Sequence, residues 1–151
     1  MNVYDDAFDV EREREGVSER LTNLGHALGT ALLGATVFEV EPGYAGPYHL
    51  HHGNEELLLV LDGTPTVRTP AGERELRRGD VAFFARGPDG LHAVANRSDQ
   101  PARFILFSSK VHPDLTERPE EGLVGVFAGD VPTAGRDAPF EAFFPRDAAV
   151  G

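Results

Sequence analysis

Three of the chain's six histidines fall within four positions, at His49, His51 and His52. Two carboxylates follow at Glu55 and Glu56, and then an apolar run to Leu61. Residues two apart on an extended strand project to the same face. His49 and His51 therefore present two imidazoles side by side. Imidazole beside a carboxylate is a ligand set for first-row transition metals. Glu56 lies an odd number of steps after His51, which would place it on the opposite face of one flat strand. Gly53-Asn54 supplies a turn signal between them. His49 and His51 are thus read at the end of one strand and Glu56 at the start of the next, with all three facing one interior. By the same parity His52 and Glu55 face away; they are second choices, because a β-bulge would exchange the pairs. His26 and His112 are read as structural or solvated.

The spacing Gly43-x5-His49-x-His51-x4-Glu56-x6-Gly63 resembles the first motif of the cupin superfamily, with every position filled. A second stretch, Gly79-x5-Ala85-x-Gly87 followed by His92-x3-Asn96, resembles the second motif. It departs from the pattern in carrying Ala85 where proline is usual and in a longer loop before His92. The resemblance covers roughly residues 30–110. It implies an all-β double-stranded β-helix, a relative of the jelly roll, with an open interior. It also implies His92 as a fourth ligand, giving the metal set His49, His51, Glu56 and His92. Such a set suits a divalent transition metal, Fe, Mn, Ni, Co, Cu or Zn, with positions left for water or substrate. Asn96 shares parity with His92 and is read as an orienting partner for it.

Composition narrows the classes. At 151 residues the chain is read as one domain with a single core. There is no cysteine, so disulfides, thiolate metal sites and a cysteine nucleophile are excluded. The net charge of -11 and the scattered positive residues argue against nucleic acid as a partner. No apolar run approaches the ~18 residues of a membrane span, and the acidic N-terminus lacks a signal-peptide core. A cytoplasmic protein with no membrane partner is expected.

The elements that must position the site are short strands parted by Gly and Pro turns. Residues 1–22 read as a charged arm, with Glu11 to Glu15 one helical turn or mobile. Residues 23–110 read as the barrel, with no convincing helix. Residues 111–151 read as an extension packed on the barrel or a partner, with Pro132 to Asp137 a loop and an aromatic arm from Pro139 to Phe144. Asp62-Gly63 is a hairpin signal, and Val81 to Ala85 reads as a strand buried on both faces. If Glu56 faces inward, so do Leu58 and Val60. Leu57, Leu59 and Leu61 then face outward and need cover; the cupin resemblance implies a homodimer contact for this, in preference to the chain's own N-terminal strands. Tyr48 should point outward, either Phe83 or Phe84 could line the interior, and Arg86 sits at its mouth.

Three functions are compatible with the set. The first is a metal-dependent enzyme acting on a small organic molecule, of dioxygenase type with a redox metal or of isomerase, cyclase or decarboxylase type with a Lewis acid. The second is a non-catalytic module that binds or senses a small ligand. The third is a barrel in which metal only stabilises the fold, against which open coordination speaks. Fold-level analogy does not select a reaction.

Overall fold

The continuous run from Leu57 to Leu61 puts apolar side chains on both faces of one sheet, and a packed cluster lies on each face. A computed structural model of the chain describes residues 1–14, 17–128 and 141–147. Its strands are β1 (Val10–Arg14), β2 (Val17–Asn23), β3 (Leu33–Val40), β4 (Leu50–His51), β5 (Glu56–Asp62), β6 (Thr66–Thr69) and β7 (Gly72–Glu75). They continue with β8 (Val81–Phe84), β9 (Ala93–Ala95), β10 (Ala102–Ser109), β11 (Asp114–Arg118), β12 (Leu123–Phe127) and β13 (Glu141–Pro145). The strands form a six-stranded sheet in the order β1-β2-β3-β10-β5-β8, a four-stranded sheet β13-β12-β11-β4 and a three-stranded sheet β7-β6-β9. Every pairing is antiparallel.

The interior face of the large sheet supplies Val40, Leu58, Val60, Phe84 and Phe104. These pack against Val67, Leu76 and Val94 from the other side of the barrel. Leu58 has no exposed surface, and burying such a side chain contributes about 2 kcal/mol. On β5 this parity turns Glu56 inward with Leu58 and Val60, as the alternation requires.

The outer face is covered from within the chain. Leu61 packs with Leu24, Ala35, Val37 and Ile105, and Val3, Phe8 and Leu59 join the cluster. Two of the three leucines read as a dimer contact are therefore packed by N-terminal residues of the same molecule. Only Leu57 remains at the surface, beside Phe83 on the paired edge strand.

The Glu11 to Glu15 region is neither helical nor a loose arm over its described part: Val10–Arg14 pairs with β2, which pairs with β3. Val10 and Leu21 pair on the core-facing side and drive this; Arg12 and Glu19, two residues along each strand, share that face, and Glu11, Glu13 and Arg20 occupy the other. Among the described residues there is one α-helix, α1 (Leu24–Leu28). The Asn23 side chain accepts a hydrogen bond from the His26 N–H at its start, and Gly29 closes it in the left-handed conformation at φ 71°. Gly63 also has positive φ, but the chain crosses there to another sheet, so Asp62-Gly63 is not a hairpin turn. The hairpin is instead β6–β7. Strand β8 is buried on one face only, since it lies at the sheet edge, with Val81 54% and Phe83 59% exposed. The Pro132 to Asp137 loop and Phe140 lie outside the described residues.

Candidate metal centre

Backbone pairing delivers the four side chains to one place. His49 and His92 form an isolated antiparallel bridge and exchange both backbone hydrogen bonds at 2.9 Å. His51 ends β4, and Glu56 opens β5 after the turn through Gly53 and Asn54. Asn54 holds that turn against the β10–β11 connection: its Oδ1 accepts from the Val111 N–H at 2.7 Å, and its Nδ2 donates to the Val111 carbonyl at 3.1 Å.

Each imidazole is tied down through Nδ1. His49 Nδ1 lies 3.0 Å from the Pro47 carbonyl oxygen, and His92 Nδ1 lies 2.8 Å from that of Gly90. His51 Nδ1 lies 2.6 Å from Asp114 Oδ2. All three partners only accept, so each Nδ1 carries the proton and donates it. While the imidazoles are neutral, each Nε2 is then a lone pair. One ligand atom from each of His49, His51 and Glu56 falls within 4.8 Å of the others. His92 stands just outside this trio but shares Glu56: its Nε2 is 3.3 Å from Glu56 Oε2, and His51 Nε2 is 3.5 Å from the same oxygen. Neighbouring donors around a six-coordinate ion with bonds near 2.1 Å stand about 3 Å apart, so the arrangement fits an ion.

The electrostatics agree. Glu56 Oε2 and His92 Nε2 are both buried and neither has a hydrogen-bond partner among the described residues. Two lone-pair atoms facing each other across 3.3 Å are repulsive until a cation or a proton lies between them. Burial, and then the neighbouring His92, push the His49 imidazole down to about 4. It is therefore neutral, as a ligand must be. Burial also opposes charging of His51, but the Asp114 hydrogen bond and the Glu56 charge outweigh it and leave His51 above its ordinary value. For Glu56, burial favours the neutral acid; a proton on the facing His92, and positive charge on His51, His92 and His49, outweigh it and hold the carboxyl below its ordinary value.

The Phe84 ring stacks on His92, with centroids 3.6 Å apart and planes within 2°. Phe84 therefore faces the interior while Phe83 faces out. The other sequence candidates lie elsewhere. His52 Nε2 meets Glu117 at 2.7 Å on the surface, and Glu55 is exposed. Tyr48 lies outside, under the Arg68 guanidinium, and Arg86 is exposed. Asn96 does not orient His92: its amide donates to the carbonyls of Val40 and Gln100 and locks a loop instead. The residue that sequence reasoning missed is Asp114, which also accepts from the Gly53 N–H at 3.0 Å. His112, read as structural or solvated, lines a cavity at the site.

Two cavities adjoin Glu56. One of ≈ 280 Å³ reaches His49 and His92 and is walled by Phe38, Tyr44 and Phe104. The other, of ≈ 220 Å³, reaches His51 and is lined by Asn54, Ser108 and His112. A small molecule could meet an ion here from either side.

Comparison with known proteins agrees with this architecture. The Cupin domain family matches residues 36–108. The tetracenomycin polyketide synthase protein TcmJ of Streptomyces glaucescens is 30% identical over 111 residues, spanning 74% of this chain and 70% of that protein. Among solved structures, a cupin-superfamily sugar phosphate isomerase from Silicibacter pomeroyi superposes with a TM-score of 0.75 at 25% identity, over 85% of this chain and 77% of that one. A putative sugar phosphate isomerase from Acidithiobacillus ferrooxidans gives a TM-score of 0.75 at 20% identity, covering 91% and 84%, and speaks to the fold alone.

Proposed function

This chain belongs to the cupin superfamily, and from that footing we propose that it is a metal-dependent enzyme acting on a small organic substrate. In this reading His49, His51, Glu56 and His92 hold one divalent first-row ion. The observation that supports it is the pair of buried, unpartnered acceptors, Glu56 Oε2 and His92 Nε2, 3.3 Å apart.

A bound ion of this kind polarises a carbonyl or hydroxyl oxygen, and a redox-active one also exchanges electrons. The chain's residues do the rest. The Pro47 and Gly90 carbonyls and Asp114 fix the tautomers and ring orientations. Glu56 offsets one of the ion's charges. Phe84 shields the His92 ring from water. The walls of the ≈ 280 Å³ cavity hold the substrate against the site. The likeness to a protein described as a sugar phosphate isomerase supports isomerisation as the reaction class.

The same reading keeps a homodimer, with a second copy covering the strip of Leu57, Val81 and Phe83 on the open sheet edge. Among the described residues no helix is long and apolar enough to cross a membrane.

Metal content measured by plasma mass spectrometry tests the proposal, on protein purified without chelator or nickel resin. About one equivalent in the native chain, lost in His49→Ala/His51→Ala, is the expected result. A native protein that neither carries nor takes up an ion would overturn it.

A further inference from the structure

The ≈ 280 Å³ cavity contains charge that the four candidate ligands do not explain. Arg12, Glu19 and Arg118 line it together with His49, Glu56 and His92. All three lie outside residues 36–108, where the family pattern resides. Arg12 arrives on β1 and Glu19 on β2, whose register sets Arg12 directly opposite Glu19. Arg118 ends β11. The hairpins before and after the family region thus meet over one mouth.

Several other arginines are already committed to carboxylates. Arg20 and Arg103 are both spent on Glu39. Arg68 is paired with Glu120 and Arg97 with Glu73. Among the described residues Arg12 has one ion pair, to Glu19 at 3.6 Å, too long for a hydrogen bond. Arg118 lies over the Phe143 ring and reaches Glu121 through one nitrogen at 3.3 Å. A guanidinium carries five N–H donors, so both retain donors for a ligand. Their side chains are 40% and 29% exposed, whereas His92 is 1% exposed. The arginines therefore stand at the mouth and the candidate ligands at the floor. Between them the wall is apolar, with Phe38 stacked on Phe104 at 5.3 Å and Leu106 beside them.

Resting on the metal reading, we infer that this cavity selects an organic anion: a flat apolar body whose carboxylate or phosphate is held by Arg12 and Arg118. Two guanidiniums against the single Glu19 carboxylate, with a divalent ion against Glu56, leave the cavity net positive. The chain as a whole carries -11, so the mouth is a positive window in an acidic surface. Planar guanidiniums bind either oxyanion by paired N–H donation. Without the ion the cavity's charges balance, so ion and anion should strengthen each other's binding.

Calorimetric titration of the full chain, zinc-loaded and zinc-free, with benzoate, phenyl phosphate and the neutral benzamide tests this. Zinc-loaded protein should bind at least one of the anions ten-fold or more tightly than benzamide. The better of the two identifies carboxylate or phosphate. Arg12→Gln/Arg118→Gln should remove that preference while retaining the zinc content of the native chain. Single substitutions provide a check if the double variant folds poorly by circular dichroism. Equal binding of benzamide, no binding of any probe at millimolar concentration, or a preference that survives both substitutions would overturn the inference. Loss of zinc from the native protein would count instead against the metal reading, because zinc content is measured separately from anion binding.

Discussion

His51 Nδ1 sits 2.6 Å from Asp114 Oδ2, although 63 residues separate the two in the chain. Asp114 opens β11, whose Thr116 pairs with His51 itself. Sheet pairing thus places the carboxylate behind the imidazole and fixes which nitrogen faces the interior.

Asp114→Ala should therefore weaken zinc binding ten- to a hundred-fold, the usual cost of losing a ligand's outer partner. It should also cost about 1–3 kcal/mol of stability, because the Gly53 N–H loses its acceptor as well. Competition with a chromogenic chelator measures the first effect. Unchanged zinc affinity would show that His51 is oriented without it.

Glu56→Gln should have opposite effects in the two forms of the protein. An amide can donate to His92 Nε2 where the carboxylate cannot. In chelator-treated protein the variant should be more stable than the native chain by about 1 kcal/mol. Added metal should then stabilise the native chain much more than the variant. Thermal unfolding with and without metal checks both, and a chelated variant melting below the native chain would contradict the repulsion argument.

Much of the site could be read from spacing, because His49, His51 and Glu56 are close in sequence and strand parity decides where they face. His92 required the family resemblance, since nothing local ties it to the others. Asp114 and Arg118 lie on a strand that spacing did not reveal, and their roles arise only when β11 pairs with β4. Arg12 was hidden in a run of charges that looked solvated, until pairing with β2 turned it over the cavity. Parity was also correct for Asn96, yet neighbouring carbonyls claim its amide. The outer leucines show a further limit. Alternation establishes that Leu59 and Leu61 need cover, but not whether the same chain supplies it.

Gly90→Ala should be among the most damaging single changes. A Cβ there would lie 1.6 Å from the Ala85 carbonyl oxygen, and relief requires backbone movement in the turn whose carbonyl holds His92. A loss of about 3 kcal/mol is expected. A urea midpoint equal to that of the native chain would refute it.

Glu39 sets an acid limit on stability. Burial disfavours its ionised form, but hydrogen bonds from Arg20 and Arg103 outweigh this and keep the carboxyl below its ordinary value of 4.5. A lowered folded value means the contribution is complete above about 4.5 and is lost as pH falls through the lower, folded value. Glu39→Gln should cost about 1–3 kcal/mol at pH 7, and its deficit should shrink on acidification toward pH 3. Denaturant midpoints across that range measure it; a deficit independent of pH would assign the cost to packing instead.

Three of the four converging side chains come from or adjoin three different sheets, His51 on β4, Glu56 on β5 and His92 leading into β9, and His49 joins them through its bridge to His92. An ion held there would be a cross-link as well as a reaction centre. It would close chain loops dozens of residues long, as a disulfide does in proteins that contain cysteine. In this cysteine-free chain occupancy and mechanical integrity would become one quantity. Sheet separation under a pulling force would then report whether the centre is filled.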